Sequence, residues 1–237
     1  MSRVAILRYP GTWSERDFQH ALSLAPGIET EIVWHEDLDL RGFDAAIVPG
    51  GFSYGDYLRA GAIAKLSPGT AELRRFAAEG GPVLGSCNGF QILCEAGLLP
   101  GALVRNASLE YRCDWVFVRV ESDRTPFTAD LRGEVLRMPI GHGEGRWVAD
   151  AKTLAEVEAA GQVVFRYTDA AGAATAEANP NGALANVAGV ANRAGNVVGL
   201  MPHPERCAEA ILGGTDGYRI VANLGKQAHG TAPAVYR

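Results

Sequence analysis

Short runs of consecutive apolar residues, each handing over to a stretch of helical character, leave this chain few ways to fold. Val4 to Leu7, Glu31 to Trp34, Ala45 to Val48 and Pro82 to Gly85 read as strands. A helix is expected after Thr12-Trp13-Ser14-Glu15, a capping-box pattern, with Phe18, Leu22 and Leu24 on one side. Pro68 to Glu79 reads as a helix entered at its proline and ended by Gly80-Gly81, and Gln91 to Ala96 belongs to another. Strands without a polar face must be covered on both sides, which means a parallel sheet between helical layers. The second half is less regular. Trp115 to Val120 and Glu134 to Met138 read as strands and Leu154 to Ala160 as a helix. A hairpin is expected over Val187 to Val198, turning at Asn192-Arg193-Ala194-Gly195-Asn196, and a last helix over Asp216 to Leu224. The expected fold is α/β, an open, mostly parallel, flavodoxin-like sheet flanked by helices, with a smaller hairpin or antiparallel portion in the second half. With no repeat and no linker-like tract, residues 1–237 read as a single domain.

Composition narrows the partners. A net charge of −5 gives no basic face for nucleic acid or anionic membrane. No apolar run approaches the roughly 20 residues of a membrane span, and the N-terminal stretch is too short for a signal peptide, so a cytoplasmic protein is expected. Of the four cysteines, Cys94, Cys113 and Cys207 are expected to be buried, reduced thiols, and no metal-ligand spacing is present. Cys87 has different neighbours.

Gly85-Ser86-Cys87-Asn88-Gly89 places a nucleophile type between two glycines, directly after an apolar strand and before a helix. In that context the residue occupies a sharp strand-to-helix turn, and small residues two before and two after it avoid collision. The turn lifts the sulfur above the C-terminal edge of the sheet, where ligands bind in open α/β folds. It also sets the sulfur at a helix N-terminus, which favours negative charge. Taken alone, the pattern fits a buried cysteine in a glycine-rich turn equally well.

A second feature changes the balance. Met201-Pro202-His203-Pro204-Glu205-Arg206 follows the apolar Val197 to Leu200. The flanking prolines favour extended geometry at His203, and residues two apart in an extended segment point to the same side. Glu205 is therefore expected to hold the His203 ring and stabilise its cation, the part of a third triad member. By itself the pair fits a surface His-Glu contact in a stiff loop. His20, His35 and His229 are expected to face solvent. His142, in Pro139-Ile140-Gly141-His142-Gly143-Glu144-Gly145, sits in a glycine-rich loop that suits a pocket wall, with no role legible from spacing.

Together these residues resemble the class I (triad-type) glutamine amidotransferases across nearly the whole chain. The resemblance rests on Val48-Pro49-Gly50-Gly51-Phe52, the Cys87 turn, and His203-x-Glu205, in that order. It is closer to the glutaminase subunits of phosphoribosylformylglycinamidine synthases through Pro49-Gly50-Gly51-Phe52-Ser53-Tyr54-Gly55-Asp56-Tyr57-Leu58-Arg59-Ala60-Gly61, Cys87-Asn88-Gly89-Phe90-Gln91, the His142 segment and Pro202-His203-Pro204-Glu205-Arg206. One segment departs from the pattern: the family's Phe-Pro-Gly-Thr-Asn-Cys-Asp is replaced by Tyr9-Pro10-Gly11-Thr12-Trp13-Ser14-Glu15.

The resemblance implies Cys87, His203 and Glu205 as catalytic triad, the backbone N–H groups of Gly51 and Asn88 as oxyanion hole, and Gln91 and Phe52 as substrate contacts. It implies L-glutamine as substrate and no cofactor in this chain. The chain carries no G-x-x-x-x-G-K-[ST] phosphate loop, and Gly213-Gly214-Thr215-Asp216-Gly217 reads instead as a loop capping the last helix. ATP and Mg2+ are then used by a synthetase (large) subunit, with a small accessory subunit in the same complex. Two rivals compete at this stage: a hydrolase of the same fold that needs no synthetase, and a regulatory subunit with a dead site. Pull-down of an ATP-dependent partner, as against solitary peptide hydrolysis, separates the first from the glutaminase reading, and intact Cys87, His203 and Glu205 argue against the second.

Overall fold

In the computed structural model, which describes residues 1–224, the chain forms strands β1 (Ser2–Arg8), β2 (Ile28–Trp34), β3 (Ala45–Val48), β4 (Val83–Ser86), β5 (Ala102–Val104), β6 (Arg112–Val120), β7 (Val135–His142), β8 (Arg146–Val148), β9 (Val163–Thr168), β10 (Val187–Ala191) and β11 (Val197–Leu200). The helices are α1 (Glu15–Ser23), α2 (Pro68–Ala78), α3 (Asn88–Glu95), α4 (Ala151–Ala159) and α5 (Asp216–Val221). Nine strands make one sheet in the order β2-β1-β3-β4-β11-β10-β9-β6-β7. The first five run parallel to their neighbours, and β10, β9, β6 and β7 continue the sheet in antiparallel pairs. Every residue of β3, β4 and β11 is buried, which is why these strands carry no polar alternation.

The antiparallel half curls back over the parallel half. β7 lies at the far edge of the sheet from β2, yet the Pro139 carbonyl on it accepts the His203 N–H at 2.9 Å, just past β11. That curl closes one side of the cleft above β4 and β11. A separate two-stranded antiparallel sheet of β5 and β8 buries Trp147 completely, an element with no legible signal in the sequence.

Several local expectations are corrected. α1 starts at Glu15 with Ser14 at its N-cap and no side-chain cap bond, so the Thr12–Glu15 capping box does not form. The Thr12 hydroxyl takes the Tyr9 N–H at 2.9 Å, and Ser14 Oγ accepts the Gly50 N–H at 2.8 Å. Leu24 falls off the apolar face of α1 and is exposed, whereas Phe18, Ala21 and Leu22 are fully buried at helical spacing. At the second helix the prediction and the structure agree: Ser67 caps Pro68–Ala78 by accepting the Gly69 N–H. The hairpin forms over β10 and β11, and Asn196 in its turn donates to the carbonyls of Ala77 and Gly81, tying it to the end of α2.

His35 is buried, not solvent-facing. Its Nδ1 pairs with Ser67 Oγ at 2.7 Å, and its ring stacks on Tyr9 with centroids 5.4 Å apart. His20 is exposed as expected, and His229 lies outside the described residues. Cys94 and Cys207 are buried, but Cys113 is exposed. Residues 213–217 lead into α5, whose N-cap Thr215 makes no side-chain cap bond. Among the described residues no helix is long and apolar enough to cross a membrane.

Candidate active site

Cys87 sits between β4 and α3 with φ 51° and ψ −109°, a left-handed backbone that a non-glycine residue holds only when its surroundings over-determine it. The neighbours do so. The Cys87 N–H donates to Leu200 O on β11 at 2.8 Å. A Cβ on Gly89 would stand 1.8 Å from Val48 O, and one on Gly85 would meet Leu93 Cδ1 at 2.5 Å and the Gly89 carbonyl carbon at 2.8 Å. Both glycines are therefore required by close approach, and α3 begins at Asn88 with Cys87 at its N-cap, the helix N-terminus expected from sequence.

His203 and Glu205 come from the segment after β11, the strand that pairs with β4. His203 Nδ1–H donates to Glu205 Oε1 at 2.6 Å, and both side chains are almost completely buried. The backbone reason differs from the expected one. Pro204–Arg206 is a short 3-10 turn rather than an extended run, and the turn brings the carboxylate round to the ring. Ser86 Oγ lies 3.2 Å from Pro202 O and 3.4 Å from Glu205 Oε2, so the carboxylate has a contact beyond the histidine. Burial works against charge on the His203 ring, but the Glu205 carboxylate, the charge on Cys87 and hydrogen bonds with both outweigh it. Together they raise its pKa to about 10.

Gly50 packs beside both Cys87 and His203. A Cβ there would meet His203 Cε1 at 2.7 Å and Cys87 Cβ at 3.4 Å. Cys87 and His203 line one cavity of about 380 Å3 with Trp13, Phe52 and Arg206. A second lobe of about 220 Å3 shares Gly51, Phe52, Cys87, Tyr111 and Gly141 with the first and extends over Gln91, Asp56 and Glu144. The sulfur, 3.6 Å from Gly141 O, stands where the lobes meet.

Gly51, at φ 150°, and Asn88, at the first position of α3, flank Cys87, and neither backbone N–H has a hydrogen-bond acceptor among the described residues. Gln91 is buried and tied on both sides, accepting from Asn88 Nδ2 at 2.8 Å and donating to Glu144 O at 2.6 Å. It fixes the loop after β7 against α3. Phe52 is 40% exposed, with its ring edge toward the exposed Trp13 of the atypical segment.

The structure thus brings Cys87, His203, Glu205, Gly51, Asn88, Gln91 and Phe52 to one place. Sequence reasoning missed four neighbours: Ser14, Ser86, Asp56 and Tyr111. Ser86 adjoins the nucleophile and carried a positional hint, whereas the others come from irregular segments that only the fold draws in. His142, left open by sequence, is the buried last residue of β7 and lines the second lobe.

The family model for the CobB/CobQ-like glutamine amidotransferase domain matches residues 1–214. Subunit PurQ of phosphoribosylformylglycinamidine synthase from Thermomicrobium roseum is 57% identical over 223 residues, covering 94% of each chain. The corresponding Methanosarcina barkeri subunit is 54% identical, covering 94% of this chain and 96% of its own. Among solved structures, PurLQS from Thermotoga maritima contains a chain that superposes with a TM-score of 0.84 at 41% identity, covering 96% of this chain and 99% of that one. A separate Thermotoga maritima glutamine amidotransferase shares the fold at a TM-score of 0.54 and 17% identity, over 86% of this chain and 76% of its own. The chain belongs to the class I glutamine amidotransferase family, in the branch that holds the PurQ subunits of phosphoribosylformylglycinamidine synthase.

Proposed function

We propose that this chain is the glutaminase subunit of a phosphoribosylformylglycinamidine synthase: it hydrolyses L-glutamine and supplies the ammonia to a synthetase that converts formylglycinamide ribonucleotide to formylglycinamidine ribonucleotide in purine biosynthesis. One arrangement carries the reading. A cysteine on a strand-to-helix turn shares a cavity with an imidazole held by a buried carboxylate, beside two backbone N–H groups without acceptors.

The Cys87 sulfur attacks the side-chain amide carbon of glutamine, and the carbonyl π pair moves onto oxygen. The N–H groups of Gly51 and Asn88 receive that oxyanion; losing one such donor costs roughly 100- to 1,000-fold in rate. As the C–N bond breaks, His203 gives its proton to the departing nitrogen, leaving ammonia and a γ-glutamyl thioester. Water then attacks the thioester with its proton passing to His203, and glutamate leaves as the C–S bond breaks. Glu205 holds the ring tautomer throughout by accepting from Nδ1.

Ammonia is useful only where it is captured, which calls for the synthetase (large) subunit and a small accessory subunit in one complex. ATP and Mg2+ belong to the synthetase step. Four free cysteines suit a reducing compartment, and the reading places the complex in the cytoplasm. The decisive experiment is glutamine-dependent conversion of formylglycinamide ribonucleotide with the synthetase present. Cys87→Ser should abolish it while free ammonia still supports the reaction. A Cys87→Ser chain that sustains glutamine-dependent turnover would refute the reading.

A further inference from the structure

The Gly50-Gly51 peptide carries one of the two N–H groups that receive the oxyanion, yet nothing of its own holds that group in place. Glycine on both sides leaves the peptide plane free to turn, because no Cβ resists the rotation. Neither glycine can give way to a stiffer residue. A Cβ on Gly50 would meet His203 Cε1 at 2.7 Å, and one on Gly51 would meet Gly11 O at 2.5 Å. The orientation has to come from outside.

It comes from residues 11–14. Trp13 N–H and Ser14 N–H both donate to Gly50 O, at 3.0 and 3.1 Å, and Phe52 N–H donates to Gly11 O at 2.8 Å. Thr12 and Gly51 thus face each other as the non-hydrogen-bonded pair of an antiparallel bridge. In a trans peptide the C=O and the following N–H point in opposite directions. With Gly50 O held by Trp13 and Ser14, Gly51 N–H is turned away from them, and Gly51 lines both cavity lobes beside Cys87.

One side chain completes this grip. Ser14 Oγ accepts the Gly50 N–H at 2.8 Å, on a residue that is fully buried. Ser14 stands at the N-cap of α1, where a serine hydroxyl ordinarily takes a helix N–H, and it makes no such bond. The hydroxyl is committed to the glycine loop instead. We infer that Ser14 is a positioning residue for the hydrolysis: its hydroxyl fixes the Gly50 backbone and through it aims Gly51 N–H at the oxyanion. The inference rests on the glutaminase reading. Without the hydroxyl, the buried Gly50 N–H is left with no acceptor, a cost the loop relieves by turning. Such a turn misaims Gly51 N–H and leaves Cys87, His203 and Glu205 in place.

The test uses the assembled complex with Ser14→Ala and with Ser14→Cys, which keeps an acceptor of similar size. Two reactions are followed. Ammonia release from L-glutamine passes through the oxyanion. Alkylation of Cys87 by iodoacetamide, read at that residue by mass spectrometry, does not: a C–S bond forms as the C–I bond breaks and iodide leaves. Ser14→Ala should lower kcat at least about tenfold with KM changed less than about threefold, because a misaimed donor approaches the cost of a lost one. Its Cys87 alkylation rate should stay within about twofold, and the kcat of Ser14→Cys should exceed that of Ser14→Ala at least about threefold. A smaller fall in kcat, or a change in alkylation that accompanies the loss of turnover, overturns the inference and leaves the glutaminase reading intact. So does a Ser14→Cys chain no better than Ser14→Ala. An unaltered complex that releases no ammonia from glutamine overturns both.

Discussion

At the scale of single residues, the site depends on one missing methyl group and one carboxylate. Gly50 packs against the histidine ring beside the nucleophile, and a Cβ there would be 2.7 Å from His203 Cε1. Gly50→Ala should therefore displace the ring and lower kcat/KM by about 100-fold, the usual effect of misplacing a reacting group by an ångström. The check is steady-state glutaminase kinetics beside a melting curve, because a loss of activity that only tracks unfolding would contradict the argument. Glu205 acts through charge. Because it raises the proton affinity of His203, Glu205→Gln should lower kcat/KM by roughly 100- to 10,000-fold and move its alkaline limb to lower pH. The stability consequence has a definite sign. The folded chain holds the His203 proton more tightly than the unfolded one, so the stabilisation is fully present below 6.5 and is lost as pH rises toward about 10. Urea midpoints between pH 7 and 10 should fall for the unaltered chain and fall less for His203→Gln.

The strand-to-helix turn is the element that makes the nucleophile. β4 and α3 meet at Cys87, and the N-terminal turn of α3 packs so closely on β3 that Gly89 touches the Val48 carbonyl. Gly89→Ala puts a methyl 1.8 Å from that oxygen. The helix must lift off the sheet, at a cost of about 3 kcal/mol or more on the scale of core overpacking. Thermal or urea unfolding should show that loss, and the Cys87 sulfur should lose reactivity toward glutamine analogues with it. A Gly89→Ala chain as stable as the original would mean that the turn is not held by this contact.

For the whole molecule, the curled sheet has a functional consequence. β7, at the far edge, and the loop after it form the wall opposite α3, so the cavity is built from both the parallel and the antiparallel halves. Trp13 and Leu109 line it and stand exposed. In the proposed complex, a chain that releases ammonia alone wastes it, so glutaminase turnover of the isolated subunit should be low and rise at least about tenfold when the synthetase and small subunit are added. Ammonia release measured with and without the partners decides this, and full activity in the isolated chain would count against gating.

The sequence by itself determined what local chemistry dictates. Apolar runs without alternation demanded a parallel sheet, glycines two residues either side of Cys87 demanded a tight turn, and an ordered set of motifs located the residues that meet there. It misjudged the places where a side chain had a choice of partners. Thr12 and Ser14 hold loops instead of capping α1, and His35 is buried against Tyr9 and Ser67 instead of facing water. Only the tertiary structure decided how the antiparallel half folds back, and with it the placement of His142, Glu144 and Tyr111 beside a cysteine many residues away. The physical reason is range: propensity and spacing act over a few residues, whereas the cavity wall comes from segments joined only by sheet closure and burial.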